Sequence, residues 1–316
     1  MTKIYKLATR GSALALWQAH FVQENLKKHH ISSEVHIVKT SGDKYKNKTI
    51  ASIGGKGVFV KELEEELLSH SVDLAVHSLK DLPAETRKPF TLPCYFPRHP
   101  SQDVIIFSPQ WESRLRGAHE KEWQMEDVRN LGALKVGTGS LRRECLLHEA
   151  NPKIKTVSIR GNVDTRLAKL KEGQWDAIVL AKAAIHRLPI VEGFPHFTLD
   201  SSWFVPCAGQ GVIVAETLET HELAIALKKF SDPKAETMVT IERKILAFLG
   251  GDCNLPVGVH VFYRHHELCC DLVVFNKEGA AMRMYVTQGE SKDAFEFSEL
   301  IWGELQHAKV DKFLND

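Results

Sequence analysis

The spacing of apolar residues along the first two thirds of the chain alternates between the period of a strand and that of a helix. Residues 4–8 and 34–39 have the apolar and β-branched content of strands. Between them, Leu14, Trp17 and Phe21 recur at the spacing of one helical face. This strand–helix alternation predicts a mainly parallel sheet with helices on both of its faces.

The same alternation continues as far as residue 180. Further strands are predicted at residues 71–77, 103–107, 134–136, 155–159 and 176–180. Helices are predicted after Ser12, whose hydroxyl suits an N-cap, around Val60, and from Leu141. Residues 109–130 are polar and irregular, and we expect them to form a partly helical insertion on the surface.

The last third of the chain changes character. A helix is predicted at residues 236–249, strands at 257–263, 268–275 and 281–287, and a closing helix at 295–309. The sequence Lys277-Glu278-Gly279 predicts a turn between the last two strands. This order predicts a separate small α+β domain with an antiparallel sheet.

Composition places the chain among globular proteins and limits the kinds of molecule that it is expected to bind. Its 316 residues are 43% hydrophobic and 26% charged, with a formal net charge of +1. Because the charges nearly cancel, the chain has no overall electrostatic field that would attract nucleic acid or a membrane surface. No run reaches the ~20 apolar residues of a membrane helix. The first residues also lack the apolar core of a signal peptide, so we expect a cytoplasmic protein.

The spacing of cysteines and histidines argues against a disulfide framework or a metal site. The 6 cysteines form no CxxC pair, which is typical of reduced thiols in the cytoplasm. The 16 histidines include no HExxH motif and no ligand spacing shared with cysteine. We therefore predict no metal.

A glycine-containing turn follows the predicted strand at residues 134–136. This turn, Gly-Thr-Gly-Ser at 137–140, resembles the opening of a dinucleotide-binding fingerprint, but Arg142 stands where the third glycine belongs. A bulky cation there blocks close packing of helix on sheet, so a dinucleotide site is rejected. The helix N-terminus, two hydroxyl groups, Arg142 and Arg143 together predict a site for anions such as carboxylates.

Basic residues also follow other predicted strands. In a doubly wound sheet, ligands bind at the carboxyl ends of the strands. We therefore predict one cleft lined by these cations, against the alternative that each is a solvated surface residue. The cations are Arg10, Lys80, Arg142, Arg143, Arg160, Arg166 and Arg187.

One acidic residue belongs to the same set of strand ends. Asp81 comes just after the strand at residues 71–77, beside Lys80. A carboxylate among arginines stays ionised and can stabilise a cation that develops during a reaction. The alternative is that Asp81 only forms a turn before Leu82 and Pro83.

A cysteine in a glycine-bracketed loop is the strongest candidate for covalent chemistry. Cys253 lies between Gly251 and Gly258, and Pro256 stiffens the exit of the loop. A thiol displayed in this way suits covalent attachment, because the reacting thiolate must be reachable. The alternative is a small buried hydrophobic residue.

Long motifs in the same order connect the chain to a known family. They are residues 7–19, 54–64, 75–83, 140–143, 160–163 and 209–211 and the Cys253 loop. On these motifs the chain resembles the porphobilinogen deaminase family, also called hydroxymethylbilane synthase, over nearly its whole length. The resemblance implies an α/β fold: two domains like periplasmic binding proteins flank a cleft, and a small α+β domain lies at the C-terminus.

The resemblance also implies domain boundaries. The first domain is expected at residues 1–99 and 205–230, where the chain returns to it. The second is expected at 100–204, with the sites for cofactor and substrate carboxylates. The third is expected at 231–316 and carries the cysteine that bears the cofactor.

The activity implied by the resemblance is the joining of four porphobilinogen molecules to hydroxymethylbilane in haem biosynthesis, with release of ammonia. Such an enzyme is a transferase, and its dipyrromethane cofactor is held on Cys253 through a thioether. The family also implies a monomer that binds neither nucleic acid nor membrane. Arginine suits this chemistry, because each pyrrole carries an acetate and a propionate.

The resemblance assigns roles to residues of this chain. Asp81 is the expected catalytic residue, and Lys56 belongs to a mobile loop. The residues expected to hold the cofactor are Ser78, Lys80, Thr138, Ser140, Arg142, Arg143 and Arg166. Those expected to bind the incoming substrate are Arg10, Ser12, Arg160, Arg187 and Gln210.

Some positions depart from the family pattern. Gln102 replaces a common arginine, and Gly139 and Asp164 replace a common serine and glycine. Asp252 replaces a glycine beside Cys253. Because an adjacent anion disfavours the thiolate, we expect slower cofactor assembly than in relatives with glycine there.

Two other classes of protein compete with this interpretation. A binding module that captures small dicarboxylates would share the fold, but the Cys253 loop and the lack of an export signal argue against it. A nucleic-acid-binding protein is disfavoured by the balanced charge and by the absence of aromatic residues along a basic stripe.

Overall fold

The computed structural model describes residues 3–40, 60–115, 122–188, 191–250, 255–288 and 293–315. The chain divides into two compact units. The first unit is formed by Met1–His99 with Gly211–Thr237, and the second by Pro100–Gln210 with Met238–Asp316. The division into three domains stays a prediction.

Both units contain strands and helices, numbered here in chain order. The strands are β1 (Ile4–Arg10), β2 (Ser32–Val38), β3 (Leu74–Ser78), β4 (Phe90–Tyr95), β5 (Asp103–Phe107), β6 (Leu134–Gly137), β7 (Ile154–Val157), β8 (Ala177–Ala181), β9 (His196–Leu199), β10 (Ile213–Leu218), β11 (Val257–Arg264), β12 (Glu267–Phe275) and β13 (Ala281–Thr287). The α-helices are α1 (Ala13–Lys28), α2 (Lys61–Leu68), α3 (Met125–Arg129), α4 (Leu141–Ala150), α5 (Val163–Lys171), α6 (Lys182–Arg187), α7 (Glu222–Lys228), α8 (Pro233–Phe248), α9 (Ala294–His307) and α10 (Val310–Asn315).

The sheet of the first unit is mixed. Its strand order is β2-β1-β3-β10-β4. β1 runs parallel to β2 and β3, whereas β10 runs antiparallel to β3 and β4. The expected mainly parallel arrangement therefore holds for one side of the sheet and is wrong for the other. β10 comes from a distant part of the chain, and local periodicity does not specify its partners.

The second unit repeats this arrangement. Its five-stranded sheet has the order β7-β6-β8-β5-β9, with β6 parallel to β7 and β8, and β5 antiparallel to β8 and β9. In this register Asp103 pairs with Ala181. The start of β5 therefore lies at the same edge of the sheet as the carboxyl end of β8.

The small antiparallel sheet confirms the expected α+β part of the fold class. β12 lies between β11 and β13 and pairs antiparallel with both. One apolar cluster joins Val259 of β11 to Ile245 of α8 and to Phe297 and Ile301 of α9. Gly258 allows a close approach here, because an added Cβ would lie 2.6 Å from the carbonyl oxygen of Val205.

The first helix follows the sequence prediction at its start but buries a different face. The Ser12 hydroxyl accepts a hydrogen bond of 3.3 Å from the backbone N–H of Ala15, as an N-cap does. Ala19 and Val22 are fully buried, whereas Trp17 only packs at the border of this core. Apolar spacing thus located the helix but not its most buried residues.

The expected surface insertion is wrong for one of its tryptophans. Trp123 is only 4% exposed and stacks on Phe197 with ring centroids 4.0 Å apart. It also forms a β-bridge with Leu199, and its carbonyl oxygen accepts a 2.9 Å hydrogen bond from the indole of Trp203. A single aromatic residue in a polar segment has no periodicity that would indicate its burial.

Among the described residues, none of the helices combines the length and the apolar character needed to cross a bilayer.

Candidate active site

Two arginines in the first turn of α4 are buried, which is unusual for such strongly hydrated side chains. Arg142 is 4% exposed and Arg143 is 8% exposed. The carboxylate of Asp103 binds both guanidinium groups: Arg142 Nη2 lies 2.7 Å from Oδ2, and Arg143 Nη2 lies 2.7 Å from Oδ1. Asp103 was not predicted as a site residue.

Backbone carbonyl groups accept further hydrogen bonds from the same arginines. Arg142 Nη1 donates to the carbonyl oxygen of Val205 at 2.6 Å, and Arg143 Nη1 donates to that of Val179 at 3.0 Å. Among the described residues, the Nε–H groups of Arg142 and Arg143 are buried and have no hydrogen-bond acceptor. Each guanidinium group is thus held through both of its Nη atoms and keeps its Nε–H for another acceptor.

Gln210 joins this cluster from the end of a distant segment. It is fully buried, and its Nε2 donates to the carbonyl oxygen of Ser101 at 2.6 Å and to Asp103 Oδ1 at 3.0 Å. The structure therefore brings together three of the predicted residues, Arg142, Arg143 and Gln210, around a carboxylate that sequence reasoning missed.

The charge of this cluster is positive. Burial opposes the charged form of Arg142, but the negative charge of Asp103 outweighs burial and raises the pKa of Arg142 above its ordinary value. Two guanidinium groups and one carboxylate leave one positive charge in excess within this set of side chains. An anionic ligand would neutralise that charge.

The turn before α4 brings the predicted hydroxyl groups to the same place. Thr138 is buried, and its Oγ1 accepts a 3.2 Å hydrogen bond from the backbone N–H of Ser140. Ser140 is the N-cap residue of α4. Glycine at position 139 allows close packing of this turn, because an added Cβ would lie 3.0 Å from the carbonyl oxygen of Ile159.

Three other predicted cations of the second unit lie near strand ends. Arg187 lies in α6, which follows β8, and is only 6% exposed; burial lowers its pKa to about 10. Arg166 Nε donates to the carbonyl oxygen of Gly161 at 2.8 Å. Arg160 is half-buried after β7. A guanidinium with a pKa of about 10 stays charged at neutral pH.

The predicted residues of the first unit lie at the ends of two neighbouring parallel strands. Arg10 is the last residue of β1, and Ser78 is the last residue of β3. The Ser78 hydroxyl accepts a 2.7 Å hydrogen bond from Nε2 of Gln18, a buried residue that sequence reasoning missed. The position of Gln18, a polar residue on the apolar face of α1, was the feature of the sequence that could have indicated its burial.

Lys80 and Asp81 lie on a short 3₁₀ turn, Leu79–Asp81, directly after β3. Leu79 anchors this turn, since it is 2% exposed and its backbone N–H donates to the carbonyl oxygen of Val212 at 3.0 Å. Asp81 is exposed, whereas Lys80 is half-buried. An exposed carboxylate on an anchored turn is available to a ligand.

Three residues singled out from the sequence lie outside the described residues. They are the mobile-loop residue Lys56, the attachment residue Cys253 and its neighbour Asp252. Two described thiols can be set aside as nucleophiles, because burial raises the pKa of Cys94 to about 12 and that of Cys270 well above its ordinary value.

Comparison with known proteins decides the family. The model described as "Porphobilinogen deaminase, dipyromethane cofactor binding domain" matches residues 5–226. The chain belongs to the porphobilinogen deaminase family. The porphobilinogen deaminase of Helicobacter acinonychis (strain Sheeba) is 38% identical over 304 residues, which are 95% of this chain and 94% of that protein. That of Campylobacter concisus (strain 13826) is 35% identical over 315 residues, 98% and 96% of the two chains.

Membership of the porphobilinogen deaminase family confirms the predicted enzyme class, a transferase, and the predicted cofactor, dipyrromethane. Among solved structures, the chain is similar to an ancestral cationic amino acid solute binding protein. That similarity covers 72% of this chain and 87% of the other, at 10% identity and a TM-score of 0.42. The roles of the individual site residues stay predictions.

Proposed function

We propose that this member of the porphobilinogen deaminase family joins four porphobilinogen molecules head to tail into hydroxymethylbilane, with loss of one ammonia per unit. It would act as a cytoplasmic monomer, with the small molecule porphobilinogen as its partner and no nucleic acid. The observation that carries the proposal is the buried pair Arg142 and Arg143, which share the single carboxylate of Asp103.

The residues of this cluster fit a dipyrromethane. Such a group carries acetate and propionate side chains, so it needs cations and N–H donors. The cluster has a positive charge in excess and two buried Nε–H groups without an acceptor among the described residues. A carboxylate bound here would satisfy both requirements, because charged hydrogen bonds to arginine are the strong kind.

Other residues of the second unit extend this binding role. Thr138 and Ser140 would offer hydroxyl donors beside the arginines, and Arg166 would add a cation. We assign Arg160, Arg187 and Gln210 to the incoming substrate. Burial favours the loss of a proton from Arg187, so a substrate carboxylate would also restore its ordinary pKa.

The first unit would supply the catalytic carboxylate. Asp81 would stabilise the cation that porphobilinogen becomes on losing ammonia, and would accept or return a proton at the pyrrole N–H. Lys80 and Ser78 would hold cofactor carboxylates, while Arg10 and Ser12 would bind substrate.

Cys253 would carry the cofactor through a thioether. When bound, the dipyrromethane supplies the carbon to which each new pyrrole unit is joined. Because Cys253 keeps the growing chain attached, each addition becomes effectively intramolecular. Arg142 and Arg143 would then only have to orient that chain.

The test is the intact mass and turnover of the purified chain. The wild-type chain should exceed its sequence mass by two pyrrole units and release ammonia from porphobilinogen. Cys253→Ser should lack the added mass and lose turnover, because the hydroxyl is a far weaker nucleophile than a thiolate. Cys145→Ser is the matched control, since Cys145 packs against the apolar core. A fully active wild-type chain of bare polypeptide mass would refute the proposal.

A further inference from the structure

We propose that Asp103 is a positioning residue of the cofactor site, which holds Arg142, Arg143 and Gln210 in the orientation that the ligand requires. This inference rests on the proposed function. It concerns a residue that would touch neither cofactor nor substrate, and that would act through the side chains it binds.

The geometry leaves Asp103 little freedom. It is fully buried at the start of β5 and accepts hydrogen bonds from three side chains that belong to two segments of the second unit. Its two oxygens are divided between the arginines, with Arg142 on Oδ2 and Arg143 on Oδ1. Each arginine is held at a second point by a backbone carbonyl group, so its plane is fixed. The direction of each remaining Nε–H follows from these contacts.

The negative charge of Asp103 is as important for orienting the arginines as the positions of its two oxygens. Without it, two buried guanidinium groups would lie near one another with no anion between them. In Asp103→Asn the new amide nitrogen is a donor and would oppose the donor of one arginine. The guanidinium group of that arginine would rotate away from residue 103, and its Nε–H would no longer point where the ligand carboxylate binds.

Asp103 also connects the arginines to Gln210. The amide of Gln210 donates to the same oxygen, Oδ1, that binds Arg143. A shift of the carboxylate therefore moves the side chains of Arg142 and Arg143, which are assigned to the cofactor, and that of Gln210, which is assigned to the substrate. Loss of Asp103 should for this reason affect both kcat and KM.

The test compares Asp103→Asn and Asp103→Glu with Asp176→Asn. Asp176 is the matched control, because it accepts hydrogen bonds from the backbone N–H of Lys135 at 2.7 Å and the indole of Trp111 at 3.2 Å, at the opposite end of β8. Intact mass gives the fraction of chains that carry two pyrrole units, unfolding gives the stability, and kcat and KM are measured per loaded chain.

We expect Asp103→Asn to lower kcat/KM per loaded chain by about 10- to 100-fold, the effect of one lost charged hydrogen bond. The fraction of loaded chains should fall as well. Asp103→Glu keeps the charge but displaces the carboxylate by one methylene group, so it should lose less. Asp176→Asn should lower the unfolding midpoint and leave kcat/KM within about twofold of wild type.

A folded Asp103 variant with wild-type loading and kcat/KM would overturn the inference, as would an equal loss in Asp176→Asn. If Asp103→Asn does not fold, Asp103→Glu decides alone, and wild-type kcat/KM for it is the contrary result. A wild-type chain without the added mass contradicts the proposed function whatever the variants do. A loaded, active wild-type chain with unaffected variants contradicts only the role of Asp103.

Discussion

At the scale of single residues, the proposed site would depend on cations that are already desolvated in the folded chain. A surface arginine must lose its water when a ligand binds, whereas Arg142 and Arg143 lost most of theirs on folding. The backbone carbonyl groups of Val205 and Val179 and the carboxylate of Asp103 replace that water. A ligand carboxylate at the proposed site would therefore meet donors that are already oriented, as the binding of successive carboxylates would require.

Asp81 allows a prediction at this scale. Asp81→Asn should lower kcat by about 100-fold or more, because the neutral amide neither stabilises the developing cation nor accepts a proton. Cofactor mass should be almost unchanged, since Leu79 and not Asp81 anchors the turn. The measurement is kcat with intact mass on the same sample. Near-normal turnover would show that Asp81 only forms a turn.

At the scale of helices and strands, the sequence located most elements, and β5 and β13 at their observed bounds. What it missed depends on contacts between distant segments. β4, β9 and β10 were not predicted as strands. The spacing of apolar residues in a short window can indicate a strand but not the strands beside it, so the antiparallel pairing of β10 with β3 could not be predicted.

The candidate site shows the same limit of prediction from local sequence. Arg142 and Arg143 were predicted because they follow a strand and a turn in sequence. Asp103 was overlooked because it opens an apolar strand with no motif around it. Only the pairing of Asp103 with Ala181 places it at the edge of the sheet where α4 begins. A lone carboxylate at the start of an otherwise apolar strand, Val104–Phe107, was the available signal.

The small antiparallel sheet allows a prediction about pH. Burial raises the pKa of Asp271 in β12 to about 6, and Asp200 adds to the rise, while Arg264 and Arg283 oppose it. The folded chain thus holds this proton more tightly than the unfolded chain. Stability should therefore fall as pH rises from 3.8, the ordinary value, to about 6, and stay lower above it.

Asp271→Asn should remove this part of the pH dependence. We expect the variant to be more stable than wild type at pH 7.5 by about 1 kcal/mol, after allowing for solvent screening at a half-buried site. At pH 4 the two chains should differ little. Urea unfolding at both pH values measures this. A variant that is less stable than wild type at pH 7.5 would contradict the sign.

At the scale of the whole molecule, each unit has apolar clusters of its own. Leu7, Val22 and Ile213 belong to a cluster of the first unit, and Phe107 and Phe204 to one of the second. Cys94 lies in the first of these clusters and Cys270 in a cluster of the second unit, so each thiol reports on the opening of its own unit. This separation makes the stability of each unit measurable in the intact chain.

Thiol labelling provides the corresponding prediction. The pKa of Cys94 is raised from 9.0 to about 12, so about a thousandfold less thiolate is present at neutral pH than for an ordinary thiol. In the native chain, an alkylating reagent should therefore modify the half-exposed Cys145 and Cys207 and leave the buried Cys94 and Cys270 unmodified. Under rising urea, modification of each buried thiol should follow the unfolding of its own unit, as read by mass spectrometry of peptides. Native Cys94 reacting as fast as Cys207 would show that the first unit opens without denaturant, and that its core is less closed than the packing around Leu7 and Ile213 implies.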